Sequence, residues 1–254
     1  MANLAIPKGH SMLIPHTHTT ESDGMVSPES LVDIAARHAS ELKTKIFLAI
    51  TDHDTINGVE KAQKRAQKYK GSLEIICGEE VTAGIPIYQK HIVALNIQKP
   101  IQHSMSIFET VEEIKKQNGI VIIPHPHVFG IPIASLTFNE ISLLIQKNLL
   151  FDGIEITSIS KKREAKIETA IDKLNVKVNK IGSPDSHYGA DDLFSAFTIL
   201  KGKTKADLLN AFKVGTLKPV QGIRKFPKFS TWLNQKVLAL GILGVRRYLL
   251  GNLR

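Results

Sequence analysis

The sequence predicts an α/β fold in which strands and helices alternate, and three observations carry that prediction. Short continuous apolar runs recur along the chain, as strands buried on both faces of a parallel sheet require. Segments with helical spacing and recognisable end signals separate them. The chemically richest polar residues fall just after the apolar runs. Alternation at this spacing implies right-handed crossovers, and therefore an open doubly wound sheet or a closed barrel. With 43% apolar and 22% charged residues, the 254-residue chain has material for a sizeable core in one large or two small domains, which excludes a disordered or fibrous chain.

The predicted strands, in order, are Met12–Pro15, Ile46–Ile50, Leu73–Cys77, His91–Ile97, Ile120–Ile123, Gly153–Ile156, Val176–Ile181 and Ala196–Leu200. Between the first two, a helix is predicted over Pro28–Ser40. Ser27 stands at its N-cap, Pro28 at its first position, and Leu31, Ile34, Ala35 and His38 form one stripe. A helix around Asn57–Lys70 is charged over most of its surface, as a solvated outer helix is, the alternative being nucleic-acid contact. Ser106-x-x-Glu109 reads as a capping box, with Asn118-Gly119 as the stop; Thr204-x-x-Asp207 opens a further helix, with Gly215 as its end.

Charge is unevenly spread. The formal net charge is +9, yet residues 201–254 hold twelve of the 33 basic residues and one of the 24 acidic ones, so the first 200 residues carry a net −2. No basic face spread over the whole chain is predicted. The division expected is a main domain over residues 1–221 and a basic, partly apolar C-terminal extension over 222–254. That extension reads either as a solvated capping segment or, from Trp232 to Leu253, as an amphipathic helix. Such a helix would dock on a partner, an anionic membrane surface or a phosphate-rich substrate. The apolar run Val237–Val245 is nine residues long, against the roughly 20 a spanning helix needs, so no transmembrane segment is expected. A single cysteine, Cys77, forbids an internal disulfide, and no signal-peptide pattern opens the chain, so a cytoplasmic setting is expected.

Five strand ends carry potential metal ligands: His16-Thr17-His18, Thr51-Asp52-His53-Asp54, Gly78-Glu79-Glu80, Pro124-His125-Pro126-His127 and Pro184-Asp185-Ser186-His187. In parallel α/β architectures that edge is where sites assemble, because the βα loops converge there on a rigid scaffold. Each cluster alone is weak, but their repetition predicts a multinuclear metal site. Imidazole and carboxylate without thiolate favour Zn²⁺, Mn²⁺ or Fe²⁺, and bridging carboxylates can hold two ions close together.

Together, His16-x-His18-x-x-x-Ser22-Asp23-Gly24, Thr51-Asp52-His53-Asp54, Gly78-x-Glu80, His91-Ile-Val-Ala-Leu, Pro124-His125-Pro126 and Ser183-Pro-Asp185-Ser-His187 resemble the polymerase and histidinol phosphatase (PHP) family over about residues 12–190. The pattern is most similar to its stand-alone metal-dependent phosphoesterases. The resemblance implies a distorted seven-stranded (β/α)7 barrel of PHP type, with up to three metal ions at its C-terminal mouth. It implies that His16, His18, Glu80 and Asp185 hold one ion, and that Glu80 bridges to a second held by His91 and His125. Asp23, His53 and His187 would hold the third. Two departures stand out: no Arg follows Pro-His-Pro, where relatives use one for phosphate, and Pro184 is an extra residue before Asp185.

The expected activity is hydrolysis of phosphate esters of a small metabolite or nucleotide through metal-bound hydroxide. Alternatives are a nuclease acting on short oligonucleotides with the same centre, or a non-catalytic metal-binding regulatory domain. Asp52 and Asp54 flank a ligand histidine and are candidates for orienting it or moving a proton, the alternative being to cap the following helix. His127 is a candidate for contacting phosphate or protonating the leaving group, and otherwise an exposed loop residue. Cys77 reads as a small core residue and His38 as a satisfied one; His10 and His103 lie outside every motif.

Overall fold

The computed structural model describes residues 6–85, 88–127, 134–157, 161–223, 225, 228, 230–235 and 237. Its strands and helices are β1 (His10–Ile14), α1 (Pro28–Glu41), β2 (Lys45–Ile50), α2 (Asn57–Ala66), β3 (Leu73–Ile85), β4 (Tyr88–Leu95), α3 (Ile107–Lys116), β5 (Ile120–Ile123), α4 (Phe138–Gln146), β6 (Gly153–Glu155), α5 (Lys161–Lys173), β7 (Asn179–Ile181), β8 (Ala196–Lys201), α6 (Lys205–Val214) and β9 (Lys218–Gln221). All but Val237 of the apolar run Val237–Val245 lies outside the described residues, as does most of the amphipathic stretch Trp232–Leu253. Among the described residues, no helix is long and apolar enough to cross a membrane.

Among the described residues, one sheet holds the nine strands, in the order β7-β6-β5-β4-β3-β2-β1-β8-β9. It curls into a nearly closed barrel. Beyond β7, Gly182 lies against β8, and the Thr198 hydroxyl both accepts from the Gly182 N–H (2.9 Å) and donates to its carbonyl (2.9 Å). A Cβ on Gly182 would sit 2.1 Å from the Phe197 carbonyl oxygen, so only glycine permits this approach. The nine strands differ from the seven expected of the barrel. β9 carries Pro219 and little apolar content, which hides it from hydrophobic patterning; it pairs with β8 on one side, where proline is tolerated.

The parallel crossover expectation holds for only part of the sheet. β1, β2 and β3 are parallel, as are β5, β6 and β7, but β4 runs against both β3 and β5, and β8 against β1. β3 does not stop at Cys77; it continues to Ile85 and returns as β4 with Thr82 opposite His91. The start of β4 therefore lies at the same end of the barrel as the ends of its parallel neighbours.

The helix ends follow the sequence signals. Ser27 accepts from the Ser30 N–H, Ser106 and Glu109 form the reciprocal capping box, and Thr204 and Asp207 form another, with Gly215 left-handed at φ 75°. Leu13, Phe47, Ala49, Ile76, Val93, Ile122, Ile181 and Leu200 form one interior cluster drawn from seven strands. Because β8 is antiparallel to β1, its end at Lys201 lies beside His10, and α6 closes that end with Leu208, Ala211 and Phe212. The opposite end is left for chemistry.

Replacing Thr198 with Val should leave the buried N–H and C=O of Gly182 without partners. The expected cost is about 1–3 kcal/mol in urea unfolding, with an unchanged m value.

Candidate metal centre

After β1 the chain passes through His16-Thr17-His18, where Thr17 points away from the two histidines. Its hydroxyl donates to the Ala49 carbonyl (2.6 Å), its N–H donates to the Thr51 hydroxyl (2.9 Å), and Thr51 donates back to the Thr17 carbonyl (3.0 Å). That clasp joins the ends of β1 and β2 and turns both imidazoles to the barrel axis, with their Nε2 atoms 3.1 Å apart. The following turn needs Gly24, because a Cβ there would lie 2.3 Å from the His18 carbonyl oxygen.

Glu80, 1% exposed, stands at the centre. Its Oε2 lies 3.2 Å from His16 Nε2, 3.2 Å from His18 Nε2 and 3.3 Å from His53 Nδ1; its Oε1 lies 3.0 Å from His91 Nδ1 and 3.1 Å from His125 Nε2. Asp185 Oδ1 faces His16 and His18 at 3.5 and 3.4 Å, so the extra Pro184 leaves the carboxylate at the cluster. On the far side of His18, Asp23 Oδ1 lies 3.3 Å from His187 Nε2, 3.7 Å from His18 Nδ1 and 3.8 Å from His53 Nε2. Bonds of about 2.1 Å to one ion put neighbouring ligand atoms about 3–3.5 Å apart, which is close to these separations.

Three groups of candidate ligands emerge: His16, His18 and Asp185; His53, Glu80 and His91; and His18, Asp23, His53 and His187. His125 joins the second through Glu80. The structure thus brings all nine sequence-predicted ligand positions to one end of the barrel. Asp23 Oδ1 and His18 Nδ1 are buried without a hydrogen bond, a costly condition that a shared cation would relieve. The donor set fits divalent metal.

Charge is arranged accordingly. Burial opposes ionisation of Glu80, but His91, His16 and His53 around it, with a hydrogen bond from His125, hold it well below the usual carboxylate range. Burial likewise opposes charging of His18, yet hydrogen bonds to Asp185 and Glu80 and the nearby Asp23 raise it to about 10. His53 goes the other way: burial drives it down to about 3 despite Glu80. Glu79 points out of the barrel, accepts from the Ile101 N–H (2.8 Å) and is pushed by burial to about 8. Burial, with Glu79 nearby, pushes the Cys77 thiol to about 11, so it is no ready nucleophile.

Asp52 lies buried just behind the ligands. Its carboxylate accepts from the Thr19 N–H (2.7 Å) and from the hydroxyls of Thr19 (2.7 Å) and Ser22 (2.6 Å), which fixes the loop that carries Asp23. Asp54, left-handed at φ 52°, accepts from the Thr82 N–H (2.7 Å) and so ties the β2 end to β3. His127 sits outside the nine-residue cluster, where its N–H donates to the Leu136 carbonyl (2.8 Å) and its side chain lines a groove beside α5.

Two buried acids were missed by sequence reasoning. Glu155, the last residue of β6, bonds His16 Nδ1 (2.9 Å) and accepts from the His125 N–H (2.8 Å). A carboxylate there keeps the proton on Nδ1 and leaves Nε2 free to coordinate. Asp192 accepts from the Ser186 hydroxyl (2.6 Å) and from the N–H groups of His187 (2.8 Å) and Tyr188 (3.0 Å). It clamps the turn between Asp185 and His187. Glu155 had a signal, being an acid at a sixth strand end; Asp192 lies in a loop outside any motif. His125 and Asp185 have positive φ, 28° and 49°, a conformation rare for such residues and held by these surrounding bonds.

No protein-family model matches the chain. It is 30% identical over 119 residues to a 5′-3′ exoribonuclease of Haemophilus influenzae, covering 47% of this chain and 41% of that protein. Over 82 residues it is 34% identical to a 3′,5′-nucleoside bisphosphate phosphatase of Chromobacterium violaceum, covering 32% of this chain and 26% of that one. These curated relatives are thus matched over less than half of their own length. Among solved structures, it is similar to a two-domain protein of Bacteroides vulgatus containing a predicted PHP-like metal-dependent phosphoesterase. The TM-score is 0.67 at 17% identity, covering 94% of this chain and 74% of that one.

Two outcomes are expected. Glu155→Gln should weaken metal binding about 10- to 100-fold while leaving the melting temperature of the metal-free protein nearly unchanged, read by metal titration and thermal melts. Ions must also displace the proton that His18 holds up to about pH 10, so affinity should rise with pH, by about tenfold per unit for each proton released. Calorimetry at pH 7 in buffers of different ionisation enthalpy should detect that release.

Proposed function

We propose that this chain is a phosphoesterase of the polymerase and histidinol phosphatase type that hydrolyses phosphate esters, with a small phosphorylated metabolite or nucleotide as substrate. The observation that carries this reading is Glu80, one buried carboxylate with five imidazoles within 3.3 Å of its two oxygens. In this reading His16, His18, Glu80 and Asp185 hold one divalent ion, Glu80, His91 and His125 a second, and Asp23, His53 and His187 a third. When bound, such ions neutralise charge developing on phosphoryl oxygens and make water a competent nucleophile at neutral pH.

The protein's own part is orientation and access. Glu155 and Asp192 fix the rings and turn that face substrate, and Asp52 holds the loop of Asp23. The Asp185 side chain is 39% exposed and that of His125 23%, whereas His16, His18 and Glu80 are buried. A phosphate group therefore enters on the Asp185 and His125 side. There Arg163 of α5 reaches the carbonyls of His125 and Pro126 (3.3 and 3.4 Å). We assign it the place of the arginine that the sequence lacks after Pro-His-Pro. His127 is retained as a phosphate contact or proton donor on the same side.

A second reading, a nuclease acting on short oligonucleotides, is favoured by one feature. A groove of about 660 Å³ runs beside the His125 loop, lined by His127, Thr137, Phe138, Lys162, Lys166 and Lys173. Cationic side chains beside an aromatic one suit a phosphodiester chain and its bases.

A panel of mononucleotides, nucleoside bisphosphates, histidinol phosphate and short oligonucleotides, assayed with Mn²⁺, Zn²⁺ and Mg²⁺, tests both readings. Hydrolysis of none of them would defeat the phosphoesterase reading and leave the regulatory one. Asp185→Asn should lower kcat by at least about 10²-fold in a folded protein. If the nuclease reading holds, Lys162→Glu with Lys166→Glu should raise KM for oligonucleotides and reduce its salt dependence, with mononucleotide turnover unchanged.

A further inference from the structure

The C-terminal extension is exposed at nearly every described position: Lys225, Lys228, Ser230, Trp232, Leu233, Asn234 and Val237 all face solvent. Gln235 is the exception, at 1% exposure. Its Nε2 donates to Asp23 Oδ2 (3.1 Å), and its Oε1 accepts from the Tyr188 hydroxyl (3.2 Å). A carboxylate can only accept, so the amide has one sensible orientation at Asp23. Here the buried side chain is polar, and it is aimed at a candidate ligand 212 positions away in sequence.

We propose that Gln235 is a positioning residue of the metal centre, an outer clamp on Asp23 supplied by the C-terminal extension. The two oxygens of Asp23 have different surroundings. Oδ2 is taken by the amide, while Oδ1 has no hydrogen bond and faces His187, His18 and His53 at 3.3–3.8 Å. Fixing Oδ2 leaves Oδ1 as the only oxygen free to coordinate and stops the carboxylate from rotating between the two. The amide's neutrality is the decisive property. The extension is rich in basic residues, and a lysine ammonium at this position would neutralise Asp23 and compete with the cation; an amide holds the oxygen without competing. Tyr188, next to His187, completes the link, so the amide joins the Asp23 loop to the turn that carries another ligand of the same group.

The inference rests on the metal-centre reading above, and the two fail differently. Mn²⁺ is titrated into the full chain, with free ion followed by electron paramagnetic resonance, for the wild type and for Gln235→Leu, which keeps the bulk and removes both hydrogen bonds. The wild type should bind two to three ions. In Gln235→Leu one class of site should weaken about 10- to 100-fold while the others keep their affinity. Tyr188→Phe, which frees the far end of the amide and keeps the ring, should weaken the same class by a smaller factor. It also serves as the test if Gln235→Leu does not fold. Unchanged affinities in all classes would overturn the role of Gln235, and equal weakening of every class would overturn its assignment to Asp23. A wild type that binds no Mn²⁺ would instead defeat the reading of the centre itself.

Discussion

Glu80 sets the terms for the rest of the molecule. A carboxylate with 1% exposure has lost its hydration, and such a charge persists only where other charges and hydrogen bonds replace the water. The replacements are five imidazoles, which arrive from the ends of β1, β2 and β5 and from the start of β4. The reversed direction of β4 follows from this need. A strand parallel to its neighbours would carry His91, near its beginning, to the opposite end of the barrel.

Around that centre, groups that do not coordinate do the aiming. The Thr17 and Thr51 clasp turns His16 and His18 inward, Asp52 spends both oxygens on the loop of Asp23, and Asp192 gathers the turn of Asp185 and His187. Glu155 serves two ligands at once, one through a ring nitrogen and one through a backbone N–H. The first 200 residues carry a net −2, and their buried acids concentrate at the mouth. In the proposed function, the field that attracts a phosphate there would come largely from bound cations, with Arg163 and the α5 lysines at the margin.

Much of this could be read from the chain because its strands are short apolar runs and its ligands stand at their ends. His16, His18, His53, His125, Asp185 and His187 were placed by that rule alone. What escaped had weak patterning. Gly78-Glu79-Glu80 was placed at the end of a strand closing at Cys77, because acids interrupt the apolar run, although β3 continues through Val81 and Ala83 into the hairpin. β9 was invisible because Pro219 and its polar neighbours look like a turn. Glu155 carried the same strand-end signal, but the predicted strand ran on to Ile156 and so kept it inside the run. Asp192 and Gln235 act through contacts that only the closed barrel creates. The charge excess after residue 200 drew attention to the extension, yet among its described residues the buried side chain is a neutral amide.

The bond between Asp23 and Gln235 also links segments that are far apart along the chain. Synthesis runs from the N-terminus, so the segments bearing His16 to His187 are available before β8, β9 and the extension exist. A nascent barrel can gather its ligands while its seam between Gly182 and Thr198 is still open and Asp23 still free to rotate. Placement of the Asp23 side chain thus depends on a residue 212 positions downstream, so the closing turns of the sheet and the first of its strand-end loops are set together.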